Sequence, residues 1–206
     1  CLHSRWFLLL AILSMNKIDF NAVSISPERA ELLQVLIDYI LNSIKDEETV
    51  KLNFICTHNS RRSQFAQVWA QYFANKYAVK VMCFSGGTEV TACNERTIAA
   101  LKRAGFHIQK QSIQENPPYV VDLVSSKMEL FSKQYDDAYN PASNFAAIMT
   151  CAQAEENCPF VVGAKMRISI PYEDPKISDD TENEISVYDL ISNQIASEIN
   201  YVFSKI

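Results

Sequence analysis

The segment from Cys56 to Arg62 has the residue types of an anion-binding loop with a nucleophile at its first position. It follows the largely apolar run 52–55, which favours a strand, and it precedes residues that favour a helix. A loop this short can turn several backbone N–H groups inward around a tetrahedral oxyanion, and the Arg62 guanidinium adds a planar fork of donors. These positive groups also favour a thiolate on Cys56. We therefore expect one loop to bind an oxyanion and to supply the attacking sulfur.

Two further cysteines follow a predicted buried strand over 146–150. Cys151 and Cys158 are seven residues apart, and Pro159 comes directly after them. In a helix this spacing separates the two Cα atoms by roughly 10 Å along the axis, whereas a disulfide needs about 7 Å or less. The segment must therefore unwind locally if the two sulfurs are to react, and a short helix that ends at a proline is marginal enough to do so. Metal binding is disfavoured because the spacing lacks a second ligand pair.

The remaining chemically interesting residues are less specific. Asp174 precedes Pro175, and an Asp-Pro pair often marks only a turn; Glu173 is a second acidic candidate at the same place. Cys83 and Cys93 stand outside the two cysteine patterns, and isolated cysteines are most often small buried hydrophobes. We expect these two cysteines to be packing residues.

Composition limits the class of protein. The chain has 206 residues, of which 48% are hydrophobic and 21% charged, which suits one core of roughly 150 residues plus appendages. The formal net charge is -5 and no basic stripe is present, which argues against nucleic acid as a partner. Six cysteines without a regular framework indicate thiol chemistry in a reducing compartment, so we expect the cytoplasm.

The first residues contain a short apolar run, 6–13, directly after Arg5. This run is too short to span a bilayer, which needs about 20 apolar residues. Two interpretations stay open: translation from Met15 or a truncated sequence on one side, and a remnant of a signal or lipid anchor on the other. Neither predicts a membrane span.

Hydrophobic periodicity, together with helix-capping and turn residues, predicts that these motifs lie on the helices, strands and loops of an α/β unit. Ser26 and Pro27 start an amphipathic helix, and the segment 119–135 is predicted to form a hairpin-like insertion that ends near Pro141. The predicted strands are 50–55, 79–84, 146–150 and 167–170; the predicted helices are 27–44, 64–75, a segment from the Asn94 cap through Ala104, and 185–203. The buried face of the last helix is predicted to comprise Ile185, Tyr188, Leu190, Ile191, Ile195, Ile199 and Val202. We assign residues 1–48 to an N-terminal extension with its helix and residues 49–206 to the catalytic domain.

The loop pattern Cys-Thr-x-Asn-Ser-x-Arg-Ser over 56–63 resembles the active-site loop of the low-molecular-weight protein tyrosine phosphatase family, and most closely its thioredoxin-coupled arsenate reductase branch. The C-x6-C-Pro pattern resembles the redox helix of that branch. The resemblance implies a three-layer αβα fold with a central parallel four-stranded sheet, here with an extra N-terminal helix and an insertion before the redox helix. It implies catalytic roles for Cys56, Arg62, Asp174 as general acid, Cys151 and Cys158. It implies substrate contacts from Thr57, His58, Asn59, Ser60, Arg61, Arg62 and Ser63.

The chain departs from the family pattern at several positions. His58 stands where the family usually has glycine, and Arg61 stands where it has a second cysteine. His58 can accept a left-handed backbone, and we expect it to be a solvent-exposed loop residue rather than a catalytic or substrate-selecting one. We expect Arg61 to point out of the loop rather than to bind the oxyanion, because the loop interior has space for one guanidinium. Lys176 and the following Ile177 replace the aromatic residues with which the phosphatases grip phosphotyrosine.

The resemblance also bears on bound ions. Some relatives hold potassium near the positions of Asn59 and Ser85, but Gln67 replaces their glutamate, so no metal is predicted. No cofactor is expected either, since thioredoxin would serve as the external reductant.

These observations favour reduction of arsenate to arsenite by a relay of cysteine thiolates coupled to thioredoxin. One alternative is a phosphatase that hydrolyses phosphate monoesters through a phosphocysteine on Cys56. A second alternative is a non-catalytic oxyanion or redox sensor, because the changes at His58 and Arg61 alter the loop.

Overall fold

The computed structural model describes residues 24–123, 126–157 and 160–206. The apolar run 6–13 and Cys158 lie outside the described residues. The strands in chain order are β1 (Val50–Cys56), β2 (Val81–Gly87), β3 (His107–Lys110), β4 (Tyr119–Asp122), β5 (Lys127–Leu130), β6 (Phe145–Met149) and β7 (Ala164–Ser169). The helices are α1 (Pro27–Lys45), α2 (Arg62–Lys76), α3 (Glu95–Arg103), α4 (Ala152–Asn157) and α5 (Glu184–Phe203).

The central sheet is parallel and has the strand order β2-β1-β6-β7. Both of its faces are buried, as alternate side chains of β6 demonstrate. Ala146 and Ile148 belong to the larger apolar cluster, whereas Phe145, Ala147 and Met149 belong to a smaller cluster on the other side. Because successive strand residues point to opposite faces, helices and loops cover the sheet on two sides. The predicted three-layer αβα fold is confirmed.

The insertion forms a second sheet. β3, β4 and β5 pair antiparallel in that order, so the predicted hairpin is present as β4 and β5. β3 was not predicted, because it is short and only Ile108 among its residues is buried. Ile108 pairs with Val121 of β4, and both side chains join the larger core.

The N-terminal helix α1 begins where the sequence places it. The Ser26 hydroxyl accepts a hydrogen bond from the Arg29 N–H at 3.2 Å, and Pro27 occupies the first turn. Leu33, Leu36 and other residues of α1 are fully buried in the same core as β1, α2 and α5. The helix is therefore part of the hydrophobic core around the central sheet.

Trp69 ties α2 to the closing helix α5. Its ring is fully buried and contacts the rings of Phe73 and Phe106 at centroid distances of 5.9 and 4.9 Å. Its indole N–H donates to the Ser192 hydroxyl at 3.0 Å, so the polar end of this large side chain is satisfied inside the core. This contact fixes the helix that follows the anion loop against the end of the chain.

The predicted buried face of α5 is wrong at two positions. Ile185 and Leu190 are 60% and 62% exposed. Leu190 is two residues after the buried Tyr188, which is about 200° around a helix, and Ile185 lies in the first turn, where the core does not reach.

Among the residues that the structure describes, no helix combines the length and apolarity that crossing a membrane requires.

Candidate active site

The loop between β1 and α2 is shaped by Asn59. Its backbone has a φ of 46°, in the left-handed region that asparagine tolerates better than most residues. Its side chain is fully buried, donates to the Ser63 hydroxyl at 2.9 Å and accepts from the Lys133 backbone N–H at 3.1 Å. Asn59 therefore holds the loop to the segment that follows β5. The left-handed residue of the loop is Asn59 and not its neighbour His58.

Gly87, at the end of β2, lets this loop lie close to the neighbouring strand. A Cβ atom at Gly87 would meet the Thr57 carbonyl oxygen at 2.7 Å and the Asn59 nitrogen at 2.8 Å. The structure requires glycine at this position because two backbones approach each other.

The proposed nucleophile, Cys56, ends β1 and is 3% exposed. Its sulfur lies 3.0 Å from the Ser63 hydroxyl oxygen. Because Ser63 accepts a hydrogen bond from Asn59, its own O–H is free to donate to the sulfur. This chain of three side chains is suited to stabilising a thiolate, since a charged acceptor strengthens the hydrogen bond.

Arg62 and Asp174 meet beside the loop. The Arg62 Nη2 atom lies 2.7 Å from the Asp174 carboxylate, and Nη1 donates to the Tyr172 carbonyl at 3.2 Å. The buried Nε atom has no hydrogen-bond partner among the described residues. The other Asp174 oxygen accepts from the Lys176 N–H at 3.1 Å and caps a short 3₁₀ turn. Two distant sequence motifs are thus in direct contact.

Cys151 lies at the carboxyl end of β6, next to the loop. Ile55 pairs with Met149 in the parallel ladder, so Cys151 comes opposite Thr57, and the Thr57 hydroxyl is 3.5 Å from the Cys151 sulfur. Cys56 and Cys151 share the smaller apolar cluster, and Cys151 is 1% exposed. The Cys151 sulfur also accepts from the Ala154 N–H at 3.3 Å. α4 follows directly, and the expected unwinding toward Cys158 stays a prediction.

The Arg61 side chain points away from the interior of the anion loop, as the sequence predicted, but it is buried against other residues and is not exposed to solvent. Its side chain is 12% exposed, donates to the Tyr188 hydroxyl at 2.8 Å and lies 3.3 Å from the Asp179 carboxylate. Burial and the Asp179 hydrogen bond raise the pKa of Tyr188 to about 12, so its neutral hydroxyl can accept from Arg61 and donate to Asp179. The guanidinium is engaged with α5, and only the Arg61 backbone belongs to the anion loop.

His58 lies at the mouth of the loop. Its Nε2 atom is 3.1 Å from the Glu89 carboxylate, and its side chain is 40% exposed, as the sequence predicted. Its carbonyl accepts from the Ser132 hydroxyl at 2.8 Å. The Ser60 hydroxyl, by contrast, is turned away and donates to the Ala92 carbonyl at 2.6 Å.

Ser85, which corresponds to a residue near the potassium ion of some relatives, is hydrogen-bonded to Gln67 of this chain. The Ser85 hydroxyl donates to the Gln67 side-chain oxygen at 2.5 Å, and the Gln67 amide N–H donates to the Cys83 carbonyl at 3.2 Å. Burial raises the pKa of the Cys83 thiol, and it raises that of the Cys93 thiol to about 12. Both thiols therefore stay protonated within the core.

A cavity of about 900 Å³ adjoins the loop on the side of Arg62 and Asp174. Gln153 of α4 and Gln194 of α5 also line it, and neither residue was predicted. No local motif marks them, because only the topology brings α4 and α5 to the same end of the sheet. Lys133 was missed for the same reason, although it supports Asn59 through its backbone.

Lys133 is a buried lysine whose charge should lower the free energy of unfolding. Its side chain is 4% exposed, and burial lowers its pKa from 10.5 to about 8. Between about pH 8 and 10.5 the Lys133 amine holds its proton in the unfolded chain but loses it in the folded one. Below about pH 8 the amine is charged in both states, so the full cost of burying that charge lowers the free energy of unfolding. We expect Lys133→Met to raise the free energy of unfolding at pH 7 by about 2 kcal/mol.

The gain should shrink as the pH rises from about 8 toward 10.5, above which the wild-type lysine is mostly neutral in both states. Urea unfolding of both proteins at pH 7 and pH 10 measures the difference. Lys127→Met, at a largely exposed neighbour, is the control and should show no such pH dependence. An equal or lower stability of Lys133→Met at pH 7 would contradict the prediction.

Comparisons with known proteins found a matching family and similar sequences. Residues 51–134 match the family model for the low molecular weight phosphotyrosine protein phosphatase. The chain is 29% identical over 132 residues to the arsenate reductase of Bacillus subtilis, covering 64% of this chain and 78% of that protein. It is 32% identical over 108 residues to the arsenate reductase of Staphylococcus aureus strain Newman, covering 52% and 63%.

A solved structure supports the fold. The low molecular weight protein tyrosine phosphatase from T. tengcongensis superposes with a TM-score of 0.53 at 14% identity, covering 76% of this chain and 99% of that chain. At this identity the similarity concerns the architecture alone.

Proposed function

We propose that the chain is a member of the low-molecular-weight protein tyrosine phosphatase family and that it reduces arsenate to arsenite, since residues 51–134 match the family model and arsenate reductases are among its relatives. The reaction uses the thiolates of Cys56, Cys151 and Cys158 in sequence, and thioredoxin restores the dithiol. The phosphatases of the same family need only the first of these cysteines.

The observation that carries the proposal is the place of Cys151. A simple phosphocysteine mechanism has no use for a second thiol beside the nucleophile. Here Cys151 shares a buried apolar cluster with Cys56, and the hydroxyl of Thr57, the residue after Cys56, lies 3.5 Å from the Cys151 sulfur. A second thiol at this place is suited to attack the first sulfur.

The first step forms a bond between sulfur and arsenic. The Cys56 thiolate attacks arsenate that is held by the loop N–H groups and by Arg62. One As–O bond breaks, and Asp174 protonates the departing oxygen, which leaves as water. For this step Arg62 exchanges the Asp174 carboxylate for the oxyanion, and its unpartnered buried Nε atom supplies a further donor.

The second step transfers the electrons. The Cys151 thiolate attacks the Cys56 sulfur, an S–S bond forms, and the S–As bond breaks with its electron pair staying on arsenic. Arsenic(V) becomes arsenic(III), and arsenite leaves. The Ala154 N–H, which lies 3.3 Å from the Cys151 sulfur, supports negative charge on this attacking atom.

The third step moves the disulfide outward. Cys158 attacks Cys151, which releases the Cys56 thiolate for another cycle, and the Cys151–Cys158 disulfide is then reduced by thioredoxin. The short helix α4 separates the two cysteines and must unwind for this attack. A thiol cycle of this kind needs a reducing compartment, so we place the protein in the cytoplasm.

Trapping the intermediate tests the relay. After Cys158→Ser protein has reacted with arsenate, mass spectrometry should find a Cys56–Cys151 disulfide, because the thiol that would resolve it is missing. The same variant should lose multiple-turnover reduction with thioredoxin, and Cys93→Ser serves as a control. If no such crosslink forms under single-turnover conditions, or if Cys158→Ser turns over fully, the relay is wrong.

The ratio of two activities separates this function from its alternatives. A reductase should show thioredoxin-dependent arsenate reduction that exceeds its hydrolysis of an aryl phosphate, although weak hydrolysis is expected because arsenate and phosphate share shape and charge. Hydrolysis alone would favour the phosphatase. Oxyanion binding in a calorimetric titration with neither activity would favour a sensor.

A further inference from the structure

We propose that Arg29 of helix α1 is a positioning residue for the segment that carries Asp174, and that the N-terminal helix thereby takes part in catalysis. The catalytic half of this statement rests on the proposed function. Helix α1 precedes the residues that match the family model, 51–134, so its effect on the site is not implied by the family match.

Arg29 makes a buried ion pair with the closing helix. Its Nε atom lies 2.9 Å from each carboxylate oxygen of Glu198, and the two side chains are 16% and 3% exposed. An ion pair that is removed from water holds its geometry more firmly than an exposed pair, since neither partner can exchange it for solvent. Arg29 therefore has a fixed place between α1 and α5.

From this place the Arg29 guanidinium covers Tyr172. Its central carbon is 4.7 Å from the centroid of the tyrosine ring, within the range of a cation–π contact. Tyr172 is 6% exposed, and burial raises its pKa well above the ordinary value, so the ring stays neutral under the guanidinium. The ring is thus held between the core and a residue of the N-terminal helix.

Tyr172 in turn holds the catalytic groups. Its backbone N–H donates to the Thr150 carbonyl at 3.1 Å, and its own carbonyl accepts from Arg62 at 3.2 Å. Asp174 follows two residues later and contacts the same guanidinium at 2.7 Å. A shift of the Tyr172 ring would therefore move the backbone that orients both Arg62 and Asp174.

The same ion pair is also linked to the cavity, through Gln194. The Gln194 amide donates to Glu198 at 3.2 Å, and Gln194 lines the cavity beside Arg62 and Asp174. Arg29 and Glu198 together thus support two walls of the site. The exposed pair between Arg103 of α3 and Asp189 of α5 also joins a helix to α5 but lines no part of that cavity, which makes it a control.

Removing Arg29 alone would leave Glu198 buried without its partner, which is strongly destabilising. The informative variants are therefore Arg29→Lys, which keeps the charge but loses the planar fork, and the double variant Arg29→Met with Glu198→Met, which leaves no unpaired charge. The control is the double variant Arg103→Met with Asp189→Met.

Hydrogen exchange tests the positioning independently of any activity. We expect amide exchange of residues 171–178 to become about tenfold faster in the Arg29/Glu198 variant, with β1 and β6 unchanged, and Arg29→Lys to lie between it and wild type. The control variant should exchange like wild type. Equal exchange of 171–178 in all variants would overturn the proposal, as would a uniform increase that follows global stability measured in urea.

Single-turnover arsenate reduction tests the catalytic consequence. With Cys158→Ser added to every protein, so that the disulfide is not resolved, the rate of Cys56–Cys151 disulfide formation at saturating arsenate should fall about tenfold to hundredfold in the Arg29/Glu198 variant, with partial rescue in Arg29→Lys. An unchanged rate despite faster exchange would overturn the catalytic role. If wild type forms no disulfide, the proposed function fails, whereas the exchange measurement still decides whether Arg29 orders the segment.

Discussion

Replacing Cys151 by serine is expected to abolish multiple-turnover arsenate reduction while phosphate monoester hydrolysis continues. The physical reason is that serine retains the size and hydrogen bonding of the residue but cannot attack the Cys56 sulfur to form a disulfide. The Ala154 N–H, 3.3 Å from the Cys151 sulfur, has an oxygen acceptor in the variant, so the start of α4 should be preserved. Arsenite production with thioredoxin and release of p-nitrophenol from its phosphate measure the two activities.

Two other cysteine variants complete this experiment. Cys56→Ser should lose both activities, because the nucleophile itself is replaced, whereas Cys83→Ser lies in the core and should retain both. Arsenate turnover by Cys151→Ser at the wild-type rate would exclude the second displacement. A parallel loss of hydrolysis and reduction would mean that Cys151 acts on the shape of the loop and not as a redox thiol.

Replacing Arg62 by lysine should lower kcat/KM for either oxyanion reaction by a factor of about 10² to 10³. Lysine keeps the charge but has no planar fork, so it cannot bind two oxygens while contacting the Tyr172 carbonyl. In the wild type the two terminal nitrogens of Arg62 already reach Asp174 and Tyr172, at 2.7 and 3.2 Å. Steady-state kinetics and isothermal titration with phosphate measure the loss.

The neighbouring arginine provides a matched control. Arg61→Lys removes the same fork one residue earlier, but that guanidinium contacts Tyr188 and Asp179 and not the oxyanion pocket. It should change kcat/KM by no more than about threefold, although the stability of the α5 contact will fall. Equal losses of kcat/KM in the two variants would contradict the assignment of Arg62 as the guanidinium that binds the oxyanion.

The sequence was sufficient for most of the fold. The helical spacing of apolar residues in α1, the apolar strands β1 and β6, and the helix caps at Ser26 and Asn94 are all local features, which the sequence expresses directly. β3 was missed because its pairing partner β4 lies in a later segment and only one of its side chains is buried. Burial of α5 was misjudged at Leu190, because which face of a helix meets the core depends on the neighbours.

The candidate site divides in the same way. The sequence by itself was enough to predict the nucleophile, its anion loop and the candidate thiols, because their chemistry depends on residue type and on short spacing, whereas the candidate acid Asp174 was implied by the family resemblance. Only the tertiary structure decided that Cys151 lies opposite Thr57, that Asp174 contacts Arg62, and that Arg61 faces α5. It also placed the Arg29 guanidinium over the ring of Tyr172, two residues before Asp174. These contacts join residues that are distant in the chain, and they follow from strand order and helix packing, which no local pattern encodes.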